Sequence, residues 1–404
     1  MGRRHNGTAE QRERGMQMKV RRWIFLGLWG LSLAAITCFG GTVSYGLFFG
    51  MSLLPVVSLV YIVCVYFRFK IYQEIGNRTM VCGRPETYFF VLKNEDCFAY
   101  AGVSIHLFSD FSYVEELPGD TEYELLPGEQ YTFETRLVCR YRGEYEVGVR
   151  EVVVTDFLRL FRISYTNPGT VKALVSPRIV PLTELKSLEE FQAVLSRQAF
   201  LDTEPDVIVR DYVEGDSLKQ IHWKATAREG RLKVRTRTGE EKQGITIFCD
   251  MTRYSRDRRE YLPLENRMLE VLLALAFFFA GKDMGFGVCY GQGGLVRHSV
   301  QGMKAFEDFY REVDGVVFSG EEDCVGTLGQ LLAGGFFRDS RAVFLILHEM
   351  DDRRMEVVNH LSSAGLLVAV YTVTDRSQEA YIRQGGGRIK IVQVPPDAEL
   401  EGIL

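Results

Sequence analysis

The chain reads as a mixed α/β protein in three parts: an N-terminal transmembrane helical hairpin, a small antiparallel β module, and a doubly wound α/β domain. Three observations point there. Two long apolar runs lack any charge, a middle stretch alternates short β-branched segments with turns, and the remainder alternates strands with helical periods.

The hairpin comes from Trp23 to Val43 and Gly46 to Phe67, which carry no charged side chain. Each run suffices as a helix to cross a hydrocarbon layer of roughly 30 Å. Only Ser44, Tyr45 and their neighbours join them, so the chain enters, turns and returns to the same side. Arg3, Arg4, Arg12, Arg14, Lys19, Arg21 and Arg22 precede the first run, Arg68 and Lys70 follow the second, and the turn is uncharged. Positive-inside bias then predicts a basic tail over 1–22, two spans within 23–67, and both ends in the cytoplasm at the plasma membrane. The rival reading, a cleaved signal peptide, lacks a small-residue cleavage site followed by a polar mature start.

The cysteines agree with a reducing compartment, because Cys82, Cys97, Cys139, Cys249, Cys289 and Cys324 show no paired spacing. A net charge of -5 is too small to imply a nucleic-acid partner for the whole chain.

Residues 79–175 read as a β-sandwich-like module. Tyr88 to Leu92, Val103 to Phe108, Tyr131 to Val138 and Tyr145 to Val154 are rich in strand formers, and Pro-Gly and Arg-Gly turns separate them. A connector over 176–205 holds an amphipathic piece from Leu185 to Leu195. In 206–404 the segments Ile245 to Cys249, Gly285 to Tyr290, Ala342 to Leu347, Leu366 to Val373 and Ile389 to Val394 read as buried strands. Helical periods lie between them, which predicts a mostly parallel sheet with helices on both faces.

The densest polar segment runs from Arg210 to Thr238. Gly215-Asp216-Ser217 is a turn in which Asp216 or Ser217 caps a short helix with Leu218, Ile221 and Ala225 inward, and Gly230 stops it. The strand that follows puts Lys233, Arg235 and Arg237 on one cationic face. That face reads either as edge protection or as a dock for an acidic partner, anionic lipid or phosphate. Trp223, beside Lys224, reads as a packing anchor.

The succession R-D-Y-x-x-G-D-S, I-H-W-K-A-T-A-R and G-R-L-x-V, with R-G-E-Y-E-V-G from Arg142, T-D-F-L-R-L-F from Thr155 and V-S-P-R from Val175, resembles the bacterial family named for domain of unknown function 58. The core-motif positions are Arg210, Tyr212, Gly215, Asp216, Trp223, Lys224, Ala227 and Arg228. The resemblance implies a C-terminal domain similar to von Willebrand factor A. In such domains Asp-x-Ser-x-Ser on the first loop, with later Thr and Asp residues, can bind a metal. Here Asp250 and Thr252 match, Tyr254 stands where a serine hydroxyl is needed, and Ser255 is one place late; Asp351 adds a carboxylate after a later strand. Magnesium is the ion this degenerate set would take. The plainer reading is that Asp250 and Thr252 cap the loop.

No nucleophile elbow, phosphate loop or spaced histidine set appears, so no catalytic residue is assigned. The resemblance implies a membrane-anchored, non-catalytic adaptor working with a MoxR-type AAA ATPase in assembly or chaperone-like work, and often with a transglutaminase-like membrane protein. The alternatives are a metal-dependent enzyme using Asp250, Thr252 and Asp351, and anionic lipid or nucleic-acid binding through the basic strand.

Overall fold

The computed structural model describes residues 4–115, 117, 122–191, 207–211, 223–237, 244–321, 323–337 and 340–404. They divide into two compact units, Met1–Pro177 and Arg178–Leu404.

The first unit opens with α1 (Arg4–Phe39) and α2 (Thr42–Arg68); Met18–Phe39 of α1 and the whole of α2 are apolar and long enough to cross a membrane. The break lies at Gly40 and Gly41, not at Ser44 and Tyr45, which are already helical. Gly40 has φ +44 and Gly41 φ +157, values that side chains on Cβ disfavour, so the glycines take the reversal. Trp29 Nε1 donates to Ser52 Oγ at 2.9 Å and sets the antiparallel register of the two helices.

Eleven strands follow: β1 (Lys70–Ile75), β2 (Thr79–Val81), β3 (Pro85–Lys93), β4 (Tyr100–Leu107), β5 (Ser112–Glu115), β6 (Glu122–Leu125), β7 (Gln130–Cys139), β8 (Gly143–Val147), β9 (Val149–Thr155), β10 (Arg162–Thr166) and β11 (Val171–Ser176). They form sheets of order β1-β3-β7-β5, β10-β9-β4-β6 and β2-β11-β8. In β3 the inward set Tyr88, Phe90 and Leu92 is fully buried, as period-two alternation requires. The predicted strand Tyr145 to Val154 is two strands, split at Gly148 with φ +85. A Cβ there would stand 2.6 Å from Gln73 Oε1 and 2.7 Å from Tyr88 Oη, so only glycine fits the corner.

From Ser58 onward α2 is part of this β core. Ile62 and Val65 are fully buried among its residues, Tyr61 donates to the Ala99 carbonyl at 2.8 Å, and Ser58 donates to the carboxylate of Asp156. Arg68 pairs with the buried Asp96.

The second unit begins with a connector whose helical residues 186–191 form α3. The rest of the amphipathic piece expected there lies outside the described residues. Leu185 and Phe191 are buried in the α/β core, and Ser187 Oγ meets Tyr371 Oη at 2.7 Å. Next come β12 (Val207–Asp211), α4 (Trp223–Glu229) and β13 (Lys233–Arg237), then β14 (Gly244–Cys249), α5 (Arg258–Gly281), β15 (Phe286–Gly291), β16 (Leu295–Val300), α6 (Gly302–Asp314), α7 (Cys324–Ala333), β17 (Ser340–Leu347), α8 (Asp352–Ser363), β18 (Leu367–Val373), α9 (Glu379–Gln384) and β19 (Ile389–Val394).

β14 to β19 form one sheet, ordered β16-β15-β14-β17-β18-β19, parallel except for β16. β16 is an antiparallel edge that strand patterning missed, joined to β15 through Gly293 and Gly294 at positive φ. One face packs against α5 and α6 around Leu272, Phe279 and Phe306; the other packs against α7 and α8 around Leu328, Val358 and Leu361. Each such fully buried side chain contributes roughly 1.5–3 kcal/mol.

The V-S-P-R motif finds its role here. Arg178 Nε donates at 2.8 Å to Glu270 Oε1, a carboxylate in the middle of α5 that also receives Asn266 Nδ2 at 3.1 Å and lies 2.9 Å from Arg267 Nη1. Glu270 is 2% exposed, so its charge is tolerated only with these partners. Arg178→Ala should lower the unfolding free energy of the α/β unit by about 1.5–3 kcal/mol, read from urea denaturation of the full chain in detergent. Wild-type stability would show that the pair does not anchor the connector.

Candidate functional site at the sheet switch point

Because the sheet grows from β14 first toward β16 and then toward β19, its topological switch point, where open α/β sheets usually hold ligands, lies beyond the carboxyl ends of β14 and β17. Asp250 directly follows β14, and His348 to Asp351 follow β17.

Asp250 is 1% exposed, so its charge must be met from within. Its Oδ1 accepts the Thr252 N–H at 2.9 Å, and its Oδ2 accepts the Tyr254 hydroxyl. That phenol oxygen in turn accepts Arg354 Nη2 at 2.8 Å, which places the guanidinium 4.0 Å from Asp250 Oδ2. Arg354 sits in the first turn of α8 because Asp351 caps that helix. Asp351 Oδ1 accepts the Arg354 backbone N–H at 2.7 Å, and its Oδ2 accepts Nη1 at 3.0 Å.

The His348 ring stacks on Tyr254 with centroids 4.3 Å apart. Tyr254 as a residue is 40% exposed, although its hydroxyl turns inward to Asp250. The loop is held from the side as well: Arg253 N donates to Ser319 O at 2.9 Å and Ser319 N to Met251 O at 3.1 Å.

Burial, and then the nearby Asp250 carboxylate, push the Tyr254 phenol well above its ordinary value. The same two causes, in the same order, raise the Cys324 thiol. Burial lowers the His348 imidazole, against the opposing pull of Glu349 and Asp250. At neutral pH the phenol and thiol therefore keep their protons and the imidazole is uncharged. This is a charge-compensated brace; it holds no activated nucleophile with an orienting base.

A divalent cation does not fit the arrangement. It would need several carboxylate and hydroxyl oxygens with lone pairs directed to one point. Both Asp250 oxygens already accept hydrogen bonds, Asp351 is engaged with Arg354, and a guanidinium stands where a second cation would be repelled. Among the described residues, no group of three or more His, Cys, Asp or Glu side chains is placed to hold a metal.

The structure thus brings together Asp250, Thr252 and Asp351, the three residues singled out as metal ligands, and inserts Arg354 between the two carboxylates. The basic strand forms: Lys233 lies opposite Asp211, Arg235 opposite Val209 and Arg237 opposite Val207, in a two-stranded ribbon of its own. Arg210 belongs to the same ribbon, opposite Val234. Trp223 opens α4, on which Lys224, Ala227 and Arg228 are exposed, and Gly230 with φ +66 ends it. Tyr212, Gly215 and Asp216, with the helix start expected beside them, lie outside the described residues. Sequence reasoning missed Arg354, His348, Ser319 and Cys324. Only Arg354 carried a local signal, standing three residues after a helix-capping aspartate.

A family model described as "Protein of unknown function DUF58" matches residues 208–331. This match, over less than half of the chain, supports the DUF58 family for that region. The DUF58 match runs from β12 through most of α7, so it contains Asp250, Thr252, Tyr254, Ser319 and Cys324, whereas Asp351 and Arg354 come from beyond it. No curated protein matches the chain. Among solved structures, proximal thread matrix protein 1 of the mussel byssus is 15% identical with a TM-score of 0.28, over 37% of this chain and 42% of that one. The CARDB domain of a Pyrococcus furiosus protein is 14% identical with a TM-score of 0.18, over 26% of this chain and 93% of that one. Trypsin-activated alpha-2-macroglobulin from Escherichia coli is 12% identical with a TM-score of 0.20, over 37% of this chain and 9% of that one. Likenesses this low assign neither a fold nor an activity to this chain.

Millimolar magnesium or manganese should leave the thermal midpoint of the wild-type chain unchanged. Arg354→Ala, which leaves Asp250 buried without its cation, should cost about 3 kcal/mol and make the midpoint rise with added magnesium. A magnesium-dependent rise in the wild type that Asp250→Asn abolishes would refute the guanidinium assignment.

His348 yields a pH prediction. Its folded pKa is lowered, so on acidification the unfolded chain takes up the proton first; the stabilisation is present above the unfolded pKa of about 6.5 and is lost as pH falls through it. His348→Gln should flatten the fall in midpoint below that pH, and an unchanged slope would place the titration elsewhere.

Proposed function

We propose that this chain is a membrane-anchored adaptor: α1 and α2 hold it in the plasma membrane, both units face the cytoplasm, and the α/β unit binds other proteins. The observation that carries the reading is the switch-point brace. The crevice where open α/β sheets usually hold ligands is filled here by Asp250, Tyr254, Arg354 and Asp351 bonded to one another. What faces outward is a fixed rim, with the Tyr254 ring at its edge, and a rim of that kind suits protein contact better than turnover.

The sheet, with helices on both faces and an acidic loop after its central strand, supports a von Willebrand factor A-like reading of the second unit. The resemblance of the core motif to DUF58 proteins supports a MoxR-type AAA ATPase as partner, by analogy. The basic residues on both flanks of the apolar hairpin support the cytoplasmic orientation.

Two measurements test this. The full chain in lipid nanodiscs should bind a purified MoxR-type ATPase saturably, and no binding in any nucleotide state would remove that partner. A C-terminal tag should resist protease in intact spheroplasts and be cut in inverted vesicles. Cutting in spheroplasts would end the adaptor reading altogether.

A further inference from the structure

The T-D-F-L-R-L-F motif, on the loop between β9 and β10, lies against the helical hairpin and takes no part in the switch-point brace. Its Asp156 is 1% exposed and accepts the Ser58 hydroxyl of α2, the Leu158 N–H at 3.2 Å and the Phe161 N–H at 2.7 Å. From the neighbouring helix, Arg22 Nε donates to the Leu160 carbonyl at 2.7 Å. The Trp29 to Ser52 hydrogen bond fixes the register of α1 against α2, and counting from it puts Arg22 and Ser58 at nearly the same height. Two separate contacts therefore tie one loop to both helices at one level.

That level divides the hairpin chemically. Toward the tip, Trp23 to Phe39 and Thr42 to Val57 carry no charge, and Leu31, Leu47, Phe49 and Leu53 are more than half exposed. These stretches rise roughly 25 Å at 1.5 Å per residue, close to a hydrocarbon thickness of about 30 Å. A carboxylate and a guanidinium cannot sit inside that layer at low cost, so its edge falls where they begin. At that edge Phe157 is 45% exposed, with its ring edge-on to Tyr61 at 5.3 Å, and Arg22 and Arg162 are exposed beside it. Arg159 is paired with Glu122 at 3.1 Å and adds no net charge there. Aromatic rings with interleaved arginines are the side chains that settle among phospholipid headgroups.

We infer that the loop from Asp156 to Arg162 is a membrane seat: it rests directly on the phospholipid headgroups, with Phe157 in the interface and the arginines toward lipid phosphates. This rests on the reading that α1 and α2 cross a bilayer, and the test separates the two. The photoreactive residue p-benzoylphenylalanine is placed singly at position 157, at 31 in α1, or at 113 on β5, in the full chain reconstituted into phosphatidylcholine and phosphatidylglycerol vesicles. After illumination, mass spectrometry should find lipid adducts at 31 and 157 and none at 113. An adduct at 31 without one at 157 would overturn the seat and leave the crossing intact. No adduct at 31 would overturn both, and equal yields at 113 and 157 would show that the loop is not specifically at the surface.

Discussion

A carboxylate shut away from water must be neutralised by groups fixed in the protein, and this chain places such carboxylates where its elements meet. Asp156 joins α2 to the β9–β10 loop, and Asp96 joins the end of α2 to the turn after β3. Glu270 ties the connector to α5, Glu265 ties Arg253 of the switch-point loop to the same helix, and Asp250 gathers its own loop and α8. Each is buried, and each draws a partner from a different element. Their value lies less in net stability, since an apolar pair could pack as well, than in register, because a misplaced element would leave an uncompensated charge. The Asp96 site shows the same care. Asn94 beside it is fully buried and donates to the Phe98, Leu125 and Leu126 carbonyls at 2.9–3.1 Å, closing a turn that would otherwise leave orphan acceptors.

The same constraint distinguishes this switch point from a metal site. A bound divalent ion and an arginine are alternative solutions to one electrostatic problem, two carboxylates converging outside the same strands. An ion offers several coordination positions and can leave one open for an incoming ligand. A guanidinium offers directional donors, here committed to Tyr254 and Asp351, and leaves the exposed Tyr254 ring as the feature turned outward.

Much of this was legible in the sequence, for physical reasons. The buried parallel strands announce themselves as β-branched runs, because both their faces are covered. The uncharged runs of the hairpin are visible because two long helices without a charged side chain stand out in composition from the rest of the chain. β16 was not legible: as an edge strand, L-V-R-H-S-V has one covered face, and its Arg297 and His298 disguise it. The hairpin break was placed a few residues late because Ser44 and Tyr45 are the more polar residues, whereas the turn required the φ freedom of Gly40 and Gly41. At the switch point, Asp250 and Thr252 were visible as a loop signature. Arg354 was not, because a contact between residue 254 and residue 354 depends on the sheet order and leaves no trace in local spacing. Tyr254, read as a departure from a metal-binding pattern, is the residue that lets the arginine replace the ion.

The hairpin and the β core of the first unit are joined through α2, and on the proposed membrane-anchored reading that limits how the spans sit in a bilayer. A span longer than the hydrocarbon layer can tilt to fit, but a shorter one gains nothing by it, because tilting shortens its projection along the membrane normal. Here α2 runs on from its exposed apolar stretch into the β core without a break, with Ser58, Ile62 and Val65 buried and Tyr61 bonded to the backbone of Ala99 and Ala101. Tilting the helix would tilt the whole β core against the headgroups and lift one side of the loop that carries Phe157. With spans of roughly 25 Å against a layer of about 30 Å, the difference must then be taken up by local thinning of the lipid or by the polar flanks reaching outward, at fractions of a kcal/mol per Å. On the membrane-anchored reading, the proposed seat on the headgroups and a short, rigid span both follow from one feature, the continuation of α2 into the β core.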